Sequence, residues 1–477
     1  MDVFKDIISR RTRARPRVLV LGMCPLPTEN EFQTLGPGKR TWQFVRAMLD
    51  HDFEVCLISS RHPAAFDDGE SFSVAANEEN DLIHYMVNQR VFEEPRWIQS
   101  IHDHFQPDCV VGATVFPSYV ACRIETKLPV WADLFGHTMA EAQTKCQVFE
   151  DDYYIYNFWR MEKLVLDRAD AYSVVSNPQK FATIGELGTR GRLNRRTFDY
   201  PFVRVVPCAV QFSLARERGL RMQNLLRSGE VNDDDFVVLW SGGYNTWTDV
   251  VTLFTSLERA MEVNPRIRFV STGGEIGGHD DITYPQFQRL IRNSRFRDRF
   301  ILKGWIPHHQ VPSYWAEADI GINIDKMTYE AVLGSRNRIL DWMGVGLPVL
   351  TTKVCELSEI IEHQQLGLTF SPGDSGDLTR LLLWASDHKI KLNAMADRAR
   401  GYAIEHFSIH STTAPLITWI ETATPTPDRN TRSVPVPQLR EPKRIKQSHY
   451  LASLRNQLRI HGPLNTAKWL VNRTFLG

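Results

Sequence analysis

The chain has 477 residues, a 43% apolar fraction and equal numbers of basic and acidic side chains, 56 of each. This length accommodates two or three domains with sizeable cores, and the zero net charge excludes an overall electrostatic attraction to nucleic acid. Seven scattered cysteines without a Cys-x-x-Cys pair indicate buried thiols in a reducing compartment rather than a metal site. The amino-terminal segment lacks the apolar run of a signal peptide, so we expect a cytoplasmic protein.

Short apolar runs alternate with amphipathic stretches between Arg17 and about residue 422. Each run is continuously apolar, as in strands buried on both faces of a parallel sheet. Two series of such strands predict an α/β protein with two doubly wound domains, 1–210 and 211–423, and a site in the cleft between them. The predicted strands are 17–23, 54–59, 108–112, 129–134 and 171–176, and then 236–241, 267–272, 299–303, 319–323 and 347–352.

A glycine-containing loop follows the first predicted strand. Gly36 and Gly38 come directly before a predicted helix over 39–50, whose free N–H groups would favour an anion. Lys39 and Arg40 add positive charge. The loop is a candidate for phosphate or substrate binding, and the alternative is an ordinary turn.

Polar residues also follow the predicted strand 129–134. Asp133, His137 and Glu141 come at or just after its carboxyl end, where parallel sheets place their sites. We therefore consider His137 a candidate functional residue. The alternative is that it caps a helix or lies at the surface.

Two further loops in the second half are candidates for ligand binding. Gly242 and Gly243 separate a strand from a helix predicted near Asp249, and amides of a glycine pair can approach a phosphate closely. Trp305 and Ile306 follow another strand, where an aromatic ring and backbone groups can contact a nucleobase. The alternative for Trp305 is a place in the core.

The segment GSRNRILDWMGVGLP, residues 334–348, places basic residues at the start of a predicted helix with Ser335 as its N-cap. Arg336 and Arg338 oppose the helix dipole there, which indicates an anionic ligand, and arginine forks suit phosphate oxygens. Asp341 can accept two hydrogen bonds from vicinal hydroxyls such as those of ribose. An exposed salt bridge between Arg338 and Asp341 is a compatible alternative.

The run GSRNRILDWMGVGLPVLTT, with GWIP about thirty residues upstream, resembles the carboxyl-terminal domain of family-4-type retaining glycosyltransferases. The phrases RVLVLG and GPGKR…FVRAML resemble their amino-terminal half, and the resemblance covers roughly residues 15–422. It implies the GT-B fold, in which two Rossmann-like domains hold a nucleoside-diphosphate sugar in their cleft. It also implies transfer of the sugar to an acceptor hydroxyl, with retention at the anomeric carbon.

The resemblance implies roles for individual residues. Ile306 beside Trp305 would meet the base, Asp341 would hold the ribose, and His137 would reach the donor sugar as a catalytic residue together with Arg338. Together with the residue patterns above, it gives the expected donor-binding residues, which are Gly36, Gly38, Gly242, Gly243, Trp305, Ile306, Gly334, Ser335, Arg336, Asn337 and Asp341.

The chain departs from the family pattern at two points. The family often has two glutamates eight residues apart, but Leu333 and Asp341 stand there, and Glu330 is out of register. The usual Arg…Lys pair after the second glycine loop is absent, so Arg336 or Arg338 would supply that charge. We expect no metal and no other cofactor. The alternatives are a non-catalytic or pseudoglycosyltransferase-like nucleotide-sugar-binding protein, or an epimerase or phosphorylase on this fold.

The last segment, 424–477, begins with a Pro-rich linker and continues as a basic tail. Tyr450, Leu451, Leu454 and Leu458 recur at helical spacing, which predicts an amphipathic helix within 443–477. This helix could pack on the amino-terminal domain, touch the inner face of a membrane peripherally, or remain mobile.

Overall fold

A computed structural model describes residues 15–29, 35–62, 66, 74–79, 81–210, 224–277 and 279–429 of the chain. Two sheets organise these residues, one in each half of the sequence. Every strand pair is parallel except β3–β4, which is antiparallel. Helices connect the parallel strands, so the predicted class, α/β with two doubly wound domains, is confirmed.

The amino-terminal sheet has eight strands in the order β3-β4-β2-β1-β5-β6-β7-β8. Its central strand, β1, is the apolar run RVLVLGMC, and seven of its eight residues are buried because it lies between β2 and β5. The strands are β1 (Arg17–Cys24), β2 (Glu54–Arg61), β3 (Val74–Glu79), β4 (Leu82–Val87), β5 (Cys109–Gly112), β6 (Val130–Asp133), β7 (Ala171–Val174) and β8 (Val203–Val205).

The helices of this half pack on the sheet in two buried clusters. In α1, Phe44, Val45 and Met48 are fully buried against it, as helical spacing requires. The helices are α1 (Gly36–Asp50), α2 (Gln89–Phe92), α3 (Pro95–Phe105), α4 (Val115–Ala121), α5 (Thr138–Phe149), α6 (Tyr153–Arg168) and α7 (Asn177–Thr189).

The carboxyl-terminal sheet has six strands in the order β11-β10-β9-β12-β13-β14. Its middle strand, β9, is the run FVVLWS, and all six residues are buried. The strands are β9 (Phe236–Ser241), β10 (Ile267–Thr272), β11 (Phe300–Gly304), β12 (Ile320–Asn323), β13 (Val349–Thr352) and β14 (Leu368–Phe370).

The helices of the second half are α8 (Val250–Val263), α9 (Thr283–Arg292), α10 (Val311–Glu317), α11 (Tyr329–Leu333), α12 (Asn337–Val345), α13 (Glu356–His363), α14 (Ser375–Asp387), α15 (Lys389–His406) and α16 (Ile409–Thr422). Two short 3₁₀ turns, Arg297–Arg299 and His308–Gln310, flank β11. None of the described helices is long and apolar enough to cross a membrane.

All ten predicted strands are present, and 236–241 and 267–272 have the predicted bounds. Four observed strands were not predicted: β3, β4, β8 and β14. They lie toward the edges of the two sheets. The strands β8 and β14 have only three residues each, and three of the six residues of β3 are polar, so these strands lack a long apolar run. The strand β4 is apolar apart from His84, so this reason does not apply to it.

The helix α16 belongs in space to the first domain, although the predicted boundary places it in the second. Its Leu416, Trp419 and Ile420 join the buried cluster around Val18 and Phe44 of the amino-terminal sheet. An apolar helix face shows that a helix is packed but not which sheet it packs on. The prediction of 211–423 as one spatial unit therefore needs this correction.

The first residues of the Pro-rich segment are also anchored to the first domain. Asp428 is fully buried and forms an ion pair with Arg192, and Thr426 donates its N–H to Asp170. The predicted linker character therefore does not apply to 424–429. The predicted amphipathic helix and membrane contact of 443–477 lie outside the described residues and stay predictions.

Candidate active site

A cleft of about 480 Å³ lies between the two domains, at the carboxyl ends of their strands. The first domain contributes the loop before α1, the loop after β6 and part of α5, and the second contributes the loops after β9, β10 and β11 and the start of α12. The predicted residues along the cleft wall are Gly36, Gly242, Gly243, Trp305, Ile306, Gly334, Ser335, Arg336, Asn337, Arg338 and Asp341.

The start of α12 presents its two arginines, Arg336 and Arg338, differently from the prediction. The helix begins at Asn337, its N-cap residue is Arg336, and no side chain caps it, so the predicted N-cap at Ser335 is wrong. Arg336 has an extended backbone and precedes the helix, whereas Arg338 lies in its first turn. Arg336 and Arg338 therefore have different surroundings although only one residue separates them.

Arg336 is buried in an ion-pair network of its own domain. Its Nε lies 2.9 Å from Asp325 Oδ2, and its Nη2 lies 2.9 Å from Glu330 Oε2. Burial would lower the pKa of Arg336, but these two carboxylates raise it above its ordinary value. Burial raises the pKa of Glu330 to about 7 although Arg336 opposes that shift. Asp325 and Glu330 thus neutralise most of the positive charge of Arg336, which was expected to bind phosphate.

Arg338 has the properties expected of an anion-binding residue. Its guanidinium carbon lies 3.9 Å from the centre of the Trp240 ring, and its Nη2 donates to the Gly243 carbonyl oxygen at 2.9 Å. The Nη1 atom is buried and has no partner among the described residues. Burial lowers the pKa of Arg338 to about 10, so the side chain is still charged at neutral pH.

Asp341 forms an ion pair with a residue of the opposite domain. Its Oδ2 lies 2.5 Å from Nζ of Lys39, and both side chains line the cleft. The alternative of a salt bridge between Arg338 and Asp341 is therefore wrong. Lys39 reaches Asp341 because α1 begins at the cleft directly opposite α12, where Gly36 also approaches Asn337.

The loop after β9 has a backbone that suits close contact with a ligand. Gly242 has a φ of +92°, in the region that favours glycine, and a Cβ on Gly243 would overlap the Ile276 side chain. Both glycines line the cleft, as does Asn245. The following helix, α8, is capped by Asp249, whose side chain accepts the Thr252 N–H, so the predicted strand–glycine–helix order is confirmed.

Trp305 and Ile306 form one end of the cleft. The Trp305 Nε1 donates to the Glu275 carbonyl oxygen at 2.8 Å, which holds the half-buried ring at the cleft wall rather than in the core. Ile306 is buried beside it. This end therefore offers an aromatic surface and the backbone of a strand-end loop, the features expected around a nucleobase.

The two glycines at the start of α1 in the first domain have different roles. Gly36 lines the cleft, but Gly38 does not belong to its described lining. A Cβ on Gly38 would overlap the Pro25 carbonyl oxygen, so this glycine lets α1 pack against the loop after β1. The donor-binding role of Gly38 remains a prediction, and the structure shows a packing role.

Arg40 and Asp133 are paired inside the first domain. Both side chains are completely buried, and Arg40 Nη2 lies 2.7 Å from Asp133 Oδ1. Asp133 also accepts from the Ser173 hydroxyl and the Thr114 N–H. Their hydrogen-bonding capacity is used within the domain, so the positive charge that Arg40 was expected to add to the glycine loop is neutralised there.

His137 caps α5 instead of lining the cleft. Its Nδ1 accepts the Ala140 N–H, and its Nε2 lies 3.1 Å from Glu186 Oε1. Burial alone would lower the pKa of His137, but the Glu186 carboxylate raises it above its ordinary value. Of the described residues, its neighbours Gly136 and Thr138 line the cleft and His137 does not. The catalytic role of His137 remains a prediction, and the structure shows a capping role.

His137, Glu162 and Glu186 bring three possible metal-ligand atoms within 4.8 Å of one another. Because Nδ1 of His137 accepts a hydrogen bond, the neutral ring carries its proton on Nε2, which is the atom facing the carboxylates. A metal ion would need the lone pair of that same nitrogen. The cluster therefore fits a shared proton better than a cation.

A polar cluster that the sequence did not identify as a unit lies between the domains. Lys145 donates to Nδ1 and to the carbonyl oxygen of His279, and Glu141 lies beside both. Burial lowers the pKa of Lys145 and of His279 and raises that of Glu141. The sequence pattern indicates only Glu141. The contact between Lys145 and His279 joins positions that are 134 residues apart, so spacing does not reveal it.

Comparison with known proteins agrees with this architecture. Residues 235–387 match the family described as "Glycosyl transferases group 1". A sucrose-phosphate synthase from Thermosynechococcus elongatus is similar in fold, with 16% identity and a TM-score of 0.63, and the match covers 86% of this chain and 100% of that one.

Two other solved structures have the same fold. Anabaena HepE, in complex with UDP-glucose, is 14% identical with a TM-score of 0.58, over 85% of this chain and 99% of that one. An α,α-trehalose-phosphate synthase (UDP-forming) from Burkholderia vietnamiensis is 10% identical with a TM-score of 0.62, over 86% and 97%. No curated protein matches the sequence. The two-domain fold is therefore the GT-B architecture of these solved structures, and the part of the chain that matches the group 1 glycosyltransferase family is 235–387.

Proposed function

We propose that this enzyme transfers a sugar from a uridine-diphosphate sugar to an acceptor hydroxyl, with retention at the anomeric carbon. Arg338 carries the proposal. It is a charged guanidinium fixed over Trp240, and its buried Nη1 has no partner among the described residues. A buried N–H donor without a partner is costly, and an oxygen of a diphosphate would satisfy it. Uridine is the base to test first because HepE binds UDP-glucose and the trehalose-phosphate synthase forms UDP.

The other groups of the cleft match the parts of such a donor in order, from the base to the sugar. The base would lie against Trp305 and the backbone at Ile306, and the ribose hydroxyls would reach Asp341, one turn after Arg338 on α12. The amides of Gly242 and Gly243 would face the diphosphate. The sugar would then extend toward Glu330, which Arg336 holds at the cleft wall.

In the proposed reaction the bond between the anomeric carbon and the β-phosphate oxygen breaks, and the acceptor oxygen bonds to that carbon on the same face. Negative charge grows on the leaving diphosphate, where Arg338 and the glycine amides would stabilise it. The departing phosphate accepts the proton of the acceptor hydroxyl, so we assign no separate general base. We assign the charge compensation to these groups and to no metal ion.

In this proposal His137 is a positioning residue. By capping α5 it fixes Gly136 and Thr138, which line the cleft on either side of it. Gly334, Ser335 and Asn337 would approach the diphosphate and sugar through their backbone and polar groups. The acceptor would enter from the side of the first domain, which supplies Glu141 and the loop before α1.

The test is UDP release from a panel of UDP-sugars, beginning with UDP-glucose, with and without a panel of acceptors. The proposal predicts release that depends on acceptor and an α-linked product when the donor sugar is α-linked. Arg338→Ala should lower the acceptor-dependent rate by about 100-fold. Arg380→Ala, which removes an exposed arginine paired with Asp377, is the matched control and should leave the rate unchanged.

Other results would favour the alternative functions. Tight UDP-sugar binding with no release on any acceptor would indicate a nucleotide-sugar-binding protein. Conversion of the UDP-sugar into an isomer without UDP release would indicate an epimerase. Either result contradicts the proposed transfer.

A further inference from the structure

Lys39 and Asp341 are the closest charged contact between the two walls of the cleft among the described residues that line it. The ammonium of α1 lies 2.5 Å from the carboxylate of α12, and their side chains are 18% and 8% exposed. Both residues line the space that the donor would occupy. The pair therefore lies within the proposed donor site.

This contact competes with the proposed role of Asp341. A carboxylate that accepts hydrogen bonds from two ribose hydroxyls presents both oxygens to them, but one oxygen is already held by Lys39. Each carboxylate oxygen can accept more than one hydrogen bond, but the ribose hydroxyls would compete with the ammonium for the same negative charge, so donor binding at Asp341 should weaken the ion pair. An ammonium that is held less tightly by Asp341 would gain from a new anionic partner in the cleft.

The diphosphate offers the Lys39 ammonium a new partner. Arg338 precedes Asp341 by three residues on the same helix, so the proposed diphosphate and ribose positions are about one helical turn, roughly 5 Å, apart. The flexible four-carbon side chain of lysine can cover such a distance by changing rotamers. The backbone at Gly36, one turn before Lys39, already lies at the cleft.

We infer that Lys39 exchanges partners when the donor binds, leaving Asp341 to the ribose and moving to the diphosphate. This exchange rests on the proposed function. It makes Lys39 a residue that positions the donor from the opposite domain. The binding of the two parts of a nucleotide would then depend on Lys39 in opposite ways. The nucleoside competes with Lys39 for Asp341, whereas the diphosphate binds Lys39.

The test compares uridine with UDP on Lys39→Met, a variant of similar length without the charge. Freed Asp341 should bind uridine about tenfold more tightly, whereas UDP, which loses a cation, should bind about tenfold more weakly. Both dissociation constants are measured by titration calorimetry. Lys353→Met, which breaks an exposed lysine–glutamate pair outside the cleft lining, is the matched control and should change neither constant.

A second pair of variants separates exchange from a merely structural effect. In an Asp341→Asn background, Lys39→Met should no longer change uridine binding, since the competition has been removed. Lys39→Gln serves if the methionine variant does not fold. Effects of Lys39→Met in the same direction on both ligands, or no effect on uridine, would overturn the exchange.

The proposed function is decided by a different result of the same titrations. If the wild-type protein binds UDP but the opposite effects on uridine and UDP are absent, only the exchange is wrong. If the folded wild-type protein binds neither UDP nor uridine, the proposed function fails and the exchange fails with it.

Discussion

The guanidinium carbon of Arg338 lies 3.9 Å from the centre of the Trp240 ring, while one of the guanidinium nitrogens donates to the Gly243 carbonyl oxygen. Trp240 is itself fixed by stacking on Tyr244 at 4.7 Å. The cation is thus held in place by the core of its own domain before any ligand arrives. Such preorganisation is what stabilises developing charge most effectively.

Replacing Arg338 with lysine should separate the effect of its positive charge on UDP binding from the effect of its planar shape. Lysine keeps a positive charge but lacks the planar fork that reaches both Gly243 and a phosphate oxygen. We expect Arg338→Lys to fold normally, to bind uridine as the wild-type protein does, and to bind UDP about tenfold more weakly. Titration calorimetry measures both constants. Equal loss for uridine and UDP would show that Arg338 does not act on the phosphates.

Arg336 should matter first for stability. It is buried between Asp325 and Glu330, and removing one partner of a buried ion pair typically costs about 3–5 kcal/mol of the free energy of unfolding. We expect Arg336→Met to lose about that amount in urea denaturation. Arg380→Met, an exposed pair, should lose less than about 1 kcal/mol. A fully stable Arg336→Met with impaired UDP binding would instead support a direct phosphate contact.

Glu162 should make the protein less stable as the pH rises. Burial raises the pKa of this carboxyl from its ordinary 4.5 to about 7, and Glu186 adds to the shift, whereas His137 and the Thr138 hydroxyl oppose it. Because the folded state holds the proton more tightly than the unfolded chain, the stabilisation is present below about pH 4.5 and is lost as the pH rises through about 7.

Glu162→Gln removes this titration, so its stability relative to wild type should rise between pH 5 and pH 8. The expected change is about 2–3 kcal/mol, from the size of the shift. Urea denaturation at both pH values measures it, and pH-independent relative stability would contradict the account. Glu362→Gln is the control, because that carboxyl is exposed and its pKa is lowered by hydrogen bonding to Lys353.

The segment 424–429 should stabilise the first domain. Asp428 and Arg192 form a buried two-point ion pair, with contacts of 2.6 and 3.1 Å. We expect Asp428→Asn to cost about 3 kcal/mol of the free energy of unfolding. A chain ending at residue 423 should be destabilised at least as much, whereas one ending at 429 should retain these contacts. Equal melting temperatures for the two truncated chains would contradict this role.

The sequence predicted the central strands well because burial on both faces leaves a continuous apolar run, as in FVVLWS and RVLVLGM. It missed β3, in which three of the six residues are polar. The position of α16 could not be predicted, since its apolar residues show burial but not the domain that buries them. The topology of the fold, and not the local pattern of apolar residues, decides which domain buries α16.

Sequence reasoning anticipated which loops lie at the cleft, but not which partners the charged side chains have. The Gly242–Gly243 loop lies at the cleft as expected from its glycines. The positive charges Arg336 and Arg40 are neutralised by acids that come from other positions in the sequence, Asp325, Glu330 and Asp133. Partners of this kind depend on the tertiary structure, so residue type and spacing do not reveal them.

The most direct measurement of the central claim is a crystal structure of the protein with UDP. The account predicts uracil against the loop at Trp305, both ribose hydroxyls within hydrogen-bond distance of Asp341, and a diphosphate oxygen on Nη1 of Arg338. Lys39 should have left Asp341. UDP bound elsewhere, or bound in the cleft while Arg338 Nη1 stays without a phosphate contact, would contradict the account.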